Sequence, residues 1–106
     1  MISNILKEEL NQEKFKQFLY KKIVNNYYLH PIGIGGACLF KSKENDTTIG
    51  RGTLSVILIR YYGSNYKHLI SEVINITITK AKEYIDDYSN HTYIDISGNE
   101  PKFIDE

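Results

Sequence analysis

Three histidines, one cysteine and a run of glycines are the residues of this chain with the most obvious catalytic or ligating chemistry, and their spacing argues against such use. His30, His68 and His91 could join Cys38 or Asp95 around a metal ion. No two of them stand four apart on a helix, and none forms a close doublet with Cys38, so nothing in the spacing makes ligands converge. Each of the three histidines reads as an ordinary solvated site. A nucleophilic Cys38 would need a base within hydrogen-bond reach and a place for an oxyanion. Its neighbours supply neither, and Cys38 is expected to be a small buried hydrophobe.

The stretch HPIGIGGA, with Gly33, Gly35 and Gly36, could turn freed backbone amides toward an anion. It lacks the lysine and hydroxyl of a phosphate loop and does not complete G-x-G-x-x-G. A flexible loop that lets backbone pass close to a neighbour is the expectation, with an anion site at Gly33 to Gly36 left open. Asp86 and Asp87, or Asp105 and Glu106, are acidic pairs, but adjacent residues on a helix do not face each other and terminal carboxylates are normally solvated. The sequence therefore predicts no catalytic residue, no cofactor and no metal, and a protein that is not an enzyme.

The nine tyrosines are the more unusual resource. Tyr27 and Tyr28, Tyr61 and Tyr62, and Tyr66 gather at predicted element ends, and a tyrosine offers an apolar ring with a polar tip, a combination enriched in interfaces. Arg51 and Arg60 are the only arginines, and arginine suits planar pairing across an interface. The candidate oligomer interface is thus Arg51, Arg60, Tyr61, Tyr62 and Tyr66. Arg51, between Gly50 and Gly52, is expected at an exposed hairpin tip.

These residues must be positioned by one domain, since 106 residues is the length of a single ordinary core. The first 25 residues have helical spacing, but the face of Ile2, Ile5, Leu6 and Leu10 is rotated away from that of Phe15, Phe18, Leu19 and Ile23. Either a short leader precedes a helix from about Gln12 to Asn25, or one helix runs through. Asn25 to Gly36 is heavily punctuated and reads as an irregular or edge-like connection. Ala37 to Lys43, a turn at Glu44, Asn45 and Asp46, and a return arm over Thr53 to Tyr62 read as a long hairpin. The arm, TLSVILIRYY, is rich in β-branched and aromatic residues and apolar on both faces, so it is expected to be a central strand. On that reading Val56→Asp or Ile57→Asp would be severely destabilising.

Tyr66 to Tyr88 has one polar face at helical period, with Leu69, Ile70, Val73 and Ile76 expected on the sheet. Its apolar arc is broad enough to imply further contact. Tyr93 to Ser97 alternates as a half-buried strand, and Gly98, Asn99 and Pro101 break it before Phe103 and Ile104, which add a short last strand or dock. The fold class is α+β: an amino-terminal helix, a mostly antiparallel sheet with a long hairpin, one long amphipathic helix packed on the sheet, and a carboxy-terminal strand. A single domain over 1–106 is expected.

Thirteen basic and thirteen acidic residues give zero net charge, which lacks the broad electropositive field of nonspecific nucleic-acid binding. One cysteine excludes an intrachain disulfide framework and fits a reducing, intracellular setting. The longest apolar run, Val56 to Ile59, is far short of the roughly 18 residues of a membrane span, and Lys7, Glu8 and Glu9 interrupt any leader. A soluble protein is expected, with no membrane and no direct sequence-specific nucleic-acid partner.

The segment RGTLSVILIRYYGSNYKHLISEVINITITKAKEYI resembles the strand, polar turn and amphipathic helix of phage tail-terminator and minor capsid (neck) proteins. Ser97 to Pro101 followed by Lys102, Phe103 and Ile104 resembles the strand-break-strand with which many of them close. The helix here lacks their alanines, and the chain ends at Glu106 where theirs commonly continue. Eleven lysines against two arginines, with alanine only at 37 and 81, follow AT-rich codons such as a low-GC bacterium or its phage would use. The resemblance implies a noncatalytic virion protein, assembled in the host cytoplasm as a homo-oligomer such as a hexameric ring at the head-tail or tail end, with other virion proteins as partners. The alternative is a small phage-encoded inhibitor or sponge that binds a host defence protein or a signalling nucleotide.

Overall fold

The computed structural model describes residues 2–32, 37–85 and 93–104, with residues 2–10 described by backbone alone. His91, Asp86, Asp87, Asp105, Glu106 and the Gly33 to Gly36 loop therefore lie outside the described residues. Helix α1 (Ile2–Asn26) is continuous through Asn11, so of the two readings the single helix holds. Its described part buries Leu19, Ile23 and Val24 and leaves Phe18 exposed.

The sheet is antiparallel, in the order β3-β2-β1-β4-β5. Strands β1 (Tyr27–Pro31) and β2 (Cys38–Ser42) pair along their whole length, and β3 (Thr48–Gly50) adds the short return arm. Across the sheet Ile49, Phe40, Leu29, Ile94 and Phe103 form one row. The three in the middle are fully buried. Tyr27 to Pro31 is thus the central strand, where the sequence suggested a loop. Proline disfavours a central strand, but Pro31 is the last residue of β1, beyond the contact with β4 at Leu29, where a missing N–H costs least.

The largest correction concerns Thr53 to Tyr62, which is not a strand. It lies in helix α2 (Arg51–Tyr62). Leu54 and Leu58 are buried while Ser55, Ile59 and Tyr62 are half-buried, a helical spacing, and Val56 and Ile57 are 48% and 44% exposed. A contiguous apolar run satisfies both periods, and the β-branched composition that points to a strand is a weak preference that packing overrides. Three residues of β3 bring the chain to the sheet edge at Gly50, and α2 climbs from there over β2 and β3. Gly63 ends it at a φ of 105°, a region that favours glycine, with its amide on the Ile59 carbonyl.

A 3-10 turn, Ser64–Tyr66, leads into α3 (Lys67–Glu83), the expected amphipathic helix. It packs on α1, α2 and β1 and buries Ile70, Val73, Ile74, Thr77, Ile78 and Ala81. The Thr77 hydroxyl is satisfied by the Ile74 carbonyl at 2.7 Å. Ile76, expected on the sheet, instead points outward and is 45% exposed. Strands β4 (Tyr93–Asp95) and β5 (Lys102–Ile104) close the sheet as read. The architecture is α+β, three helices with a five-stranded antiparallel sheet.

Cys38 faces the core, and burial pushes its thiol up to about 12 from an ordinary 9.0. Native protein at pH 8 is expected not to react with a thiol reagent, and to react fully in denaturant. Rapid native labelling would contradict this burial. A raised native pKa stabilises the fold below the unfolded value, and that contribution is lost as pH rises from about 9 through 12.

Candidate functional site

The residues with conventional chemistry are not brought together. His30 lies on β1, not in a solvated loop, with its ring 5.2 Å from Tyr93, edge-on. His68 is on the exposed face of α3, and Cys38 is buried beneath the sheet. Among the described residues no three His, Cys, Asp or Glu side chains are grouped so as to hold a metal. No described helix is long and apolar enough to cross a membrane.

Asp95, on the sheet face that carries His30, accepts from Lys43 Nζ at 2.9 Å, the Ser97 hydroxyl at 2.7 Å and the Ser97 amide at 3.0 Å. Partial burial works against its ionisation, but these donors outweigh burial and hold the carboxyl below its usual range. A depressed native pKa stabilises the fold above the unfolded value of about 3.9, and this is lost as pH falls through the native pKa. Asp95→Asn is therefore expected to destabilise at neutral pH and to flatten the loss of stability below about pH 4. Urea unfolding at both pH values checks it; parallel losses in parent and variant would remove Asp95 from the acid response.

The unusual surface is the outer side of α1 and α2. Along α2, Thr53, Val56, Ile57, Arg60 and Tyr61 are all exposed, at i, i+3, i+4, i+7 and i+8, the spacing of a helix that buries a stripe. Tyr61 is 74% and Phe18 52% exposed. Since α2 also buries Leu54 and Leu58 on its other side, it is apolar around much of its circumference, a pattern that suits a helix covered on both sides. Lys22 Nζ sits 5.9 Å from the Phe18 ring and 5.5 Å from the Tyr61 ring.

Behind this stripe the rings interlock. Tyr62 meets Phe15, Tyr61 and Phe18 edge-on, with centroids 5.4, 4.8 and 6.2 Å away, and Phe15 lies 4.6 Å from Tyr66. Such contacts add about 0.5–1.5 kcal/mol each beyond burial and hold the exposed rings in place. The Tyr62 hydroxyl is buried without a hydrogen-bond partner. Lys14, one turn before Phe18, with Lys22 and Arg60 gives three exposed cations, against Glu44 at the lower edge.

Of the sequence candidates, Arg60, Tyr61, Tyr62 and Tyr66 belong to this surface. Arg51 does not form a hairpin tip: it begins α2, is half-buried, and its guanidinium donates to the Asn75 side chain of α3. Phe18, Lys22, Val56 and Ile57 were missed. They become legible as one face only once 51–62 is wound as a helix beside α1.

A second concave surface lies between α1, α3 and the β4–β5 turn. Its groove of about 670 Å³ is walled by Tyr20, Val24, Ile76, Tyr84, Ile96 and Pro101 among others. An adjoining groove of about 330 Å³ on α3 shares Ile76 and Lys80 and carries Glu72 and Glu83. Lys16 bridges Glu13 at 2.9 Å and Glu72 at 3.5 Å, and Lys80 reaches Glu83 at 3.4 Å. The Glu13 carboxylate, and then Glu72, hold the Lys16 ammonium above its ordinary pKa. Comparison with protein-family models, with curated proteins and with solved structures finds no match.

Proposed function

We propose that this chain is a noncatalytic structural subunit that works by self-association through the α1–α2 face. The observation that carries the reading is α2 itself, with Val56, Ile57 and Tyr61 presented to solvent at helix-pairing spacing beside Phe18. Solvent-exposed apolar side chains so grouped mark a surface that buries against another. Aromatic and arginine side chains at its centre are the residue types that dominate interface energetics.

The assembly proposed is a ring of the phage tail-terminator or neck type. Of the two stretches that carry that resemblance, Ser97 to Ile104 does form a break and a strand, whereas 51–83 is helix-turn-helix in place of strand-turn-helix. The ring reading therefore leans on the exposed face more than on the pattern. The inhibitor or sponge reading is favoured by a different feature, the 670 Å³ groove with Lys16, Lys21, Lys80, Tyr20 and Tyr84, which has the volume of a small-ligand site. Light scattering on the purified chain separates the two: the structural reading expects a ring-sized oligomer, the sponge reading a monomer or dimer that takes up ligand.

A further inference from the structure

We infer that the groove between α1, α3 and the β4–β5 turn takes a planar ring that carries a phosphate monoester, the chemistry of a nucleoside monophosphate, with the ring on the apolar floor and the anion at Lys21 and Lys80. This rests on the ligand-binding reading of that groove and names its ligand class; it does not depend on self-association. Floor and cations come from two helix stripes. Along α1, Gln17, Tyr20, Lys21 and Val24 line the groove at i, i+3, i+4 and i+7, a single helix face. Helix α3 and its C-cap add Ile76, Lys80 and Tyr84, each four residues on. Val24 and Ile96 are buried at the bottom with Tyr20 and Pro101 half-buried beside them, which makes an apolar seat for a ring. The volume of about 670 Å³ is that of a small-molecule site.

Three lysines line this groove, Lys16, Lys21 and Lys80, against the single carboxylate of Glu13. They are not equivalent. Lys16 is held by Glu13 at 2.9 Å and Glu72 at 3.5 Å, so its end of the groove is neutralised. Among the described residues Lys21 makes no ion pair. Lys80 lies 5.4 Å from the centre of the Tyr84 ring, and Glu83 meets it only at 3.4 Å from the adjoining groove. An exposed pair of that length holds its ammonium weakly, so a phosphate can take it over. Burial raises the Tyr20 phenol and the Lys80 charge acts against that rise, which sets this ammonium near the ring seat. One turn beyond Lys21, exposed Asn25 adds an amide donor at the same lip. A neutral ring would use the floor and leave Lys21 unanswered; a phosphate on the ring gains charge-assisted hydrogen bonds as well.

Calorimetric titration of the parent chain with adenosine monophosphate, adenosine and inorganic phosphate tests this. Adenosine monophosphate is expected to bind at least about tenfold more tightly than either adenosine or phosphate, since only it fills both the floor and the cationic end. Lys21→Ala, at an exposed position, is expected to weaken adenosine monophosphate roughly three- to tenfold and to leave adenosine unchanged. Lys67→Ala removes the same charge from an exposed site outside the groove and is expected to change neither. Adenosine binding as tightly as its monophosphate, or a Lys21→Ala chain with the parent's affinity for the monophosphate, would overturn the anion end while the ligand-binding reading of the groove stands. An equal loss in Lys67→Ala would show diffuse charge attraction in place of a site and overturn the inference too. Uptake of none of the three removes that reading together with the inference.

Discussion

Phe40→Ala is expected to lower stability by about 3–5 kcal/mol, a large part of the roughly 5–15 kcal/mol that holds a domain of this kind together. Phe40 is fully buried in β2, paired with Leu29 on one side and Ile49 on the other, second in the row that runs across all five strands and next to its central residue, Leu29. Removing the ring deletes its transfer free energy and leaves a cavity under α2 and α3 that rigid strands cannot collapse to fill. Urea unfolding of parent and variant measures the difference. A loss under about 1 kcal/mol would mean that the core is not centred on this row.

Ile57→Asp is expected to do the opposite, sparing the fold and abolishing assembly. Ile57 is 44% exposed on α2, so its replacement should change the stability of the single chain by only about 0.5 kcal/mol. A carboxylate at the middle of a buried stripe would weaken association by about 2–3 kcal/mol, or roughly 30- to 150-fold. The strand reading of the same residue demands unfolding instead. Thermal melting and light scattering together distinguish the two: a lower melting temperature with unchanged mass would favour a buried Ile57, and unchanged melting with lost mass the exposed face.

The parts of the fold legible in the sequence are those where one period dominates. The polar positions of α3 recur at 3.6 residues despite the β-branched run Ile74 to Thr79, and Tyr93 to Ile96 with the Gly98–Pro101 break specifies β4 and β5. Where composition had to arbitrate, it misled. TLSVILIRYY has too few polar positions, Thr53, Ser55 and Arg60, to fix a period, and its setting between a three-residue β3 and the Gly63 stop goes with the helix. YYLHP was hidden by Pro31 and the glycines after it, although Leu29 proves to be the most central residue of the sheet. The candidate surface followed the same division. Arg60 and the Tyr61–Tyr66 cluster could be named from residue type, while Phe18, Lys22, Val56 and Ile57 depend on the end of α2 meeting α1 through Tyr61 and Tyr62, which no local pattern encodes.

Sedimentation equilibrium of the parent chain over a wide concentration range, at low salt, tests the central claim most directly. Self-association through the α1–α2 face predicts a mass that rises with concentration to a multiple of 12.3 kDa. A single species of 12.3 kDa at every concentration would contradict it.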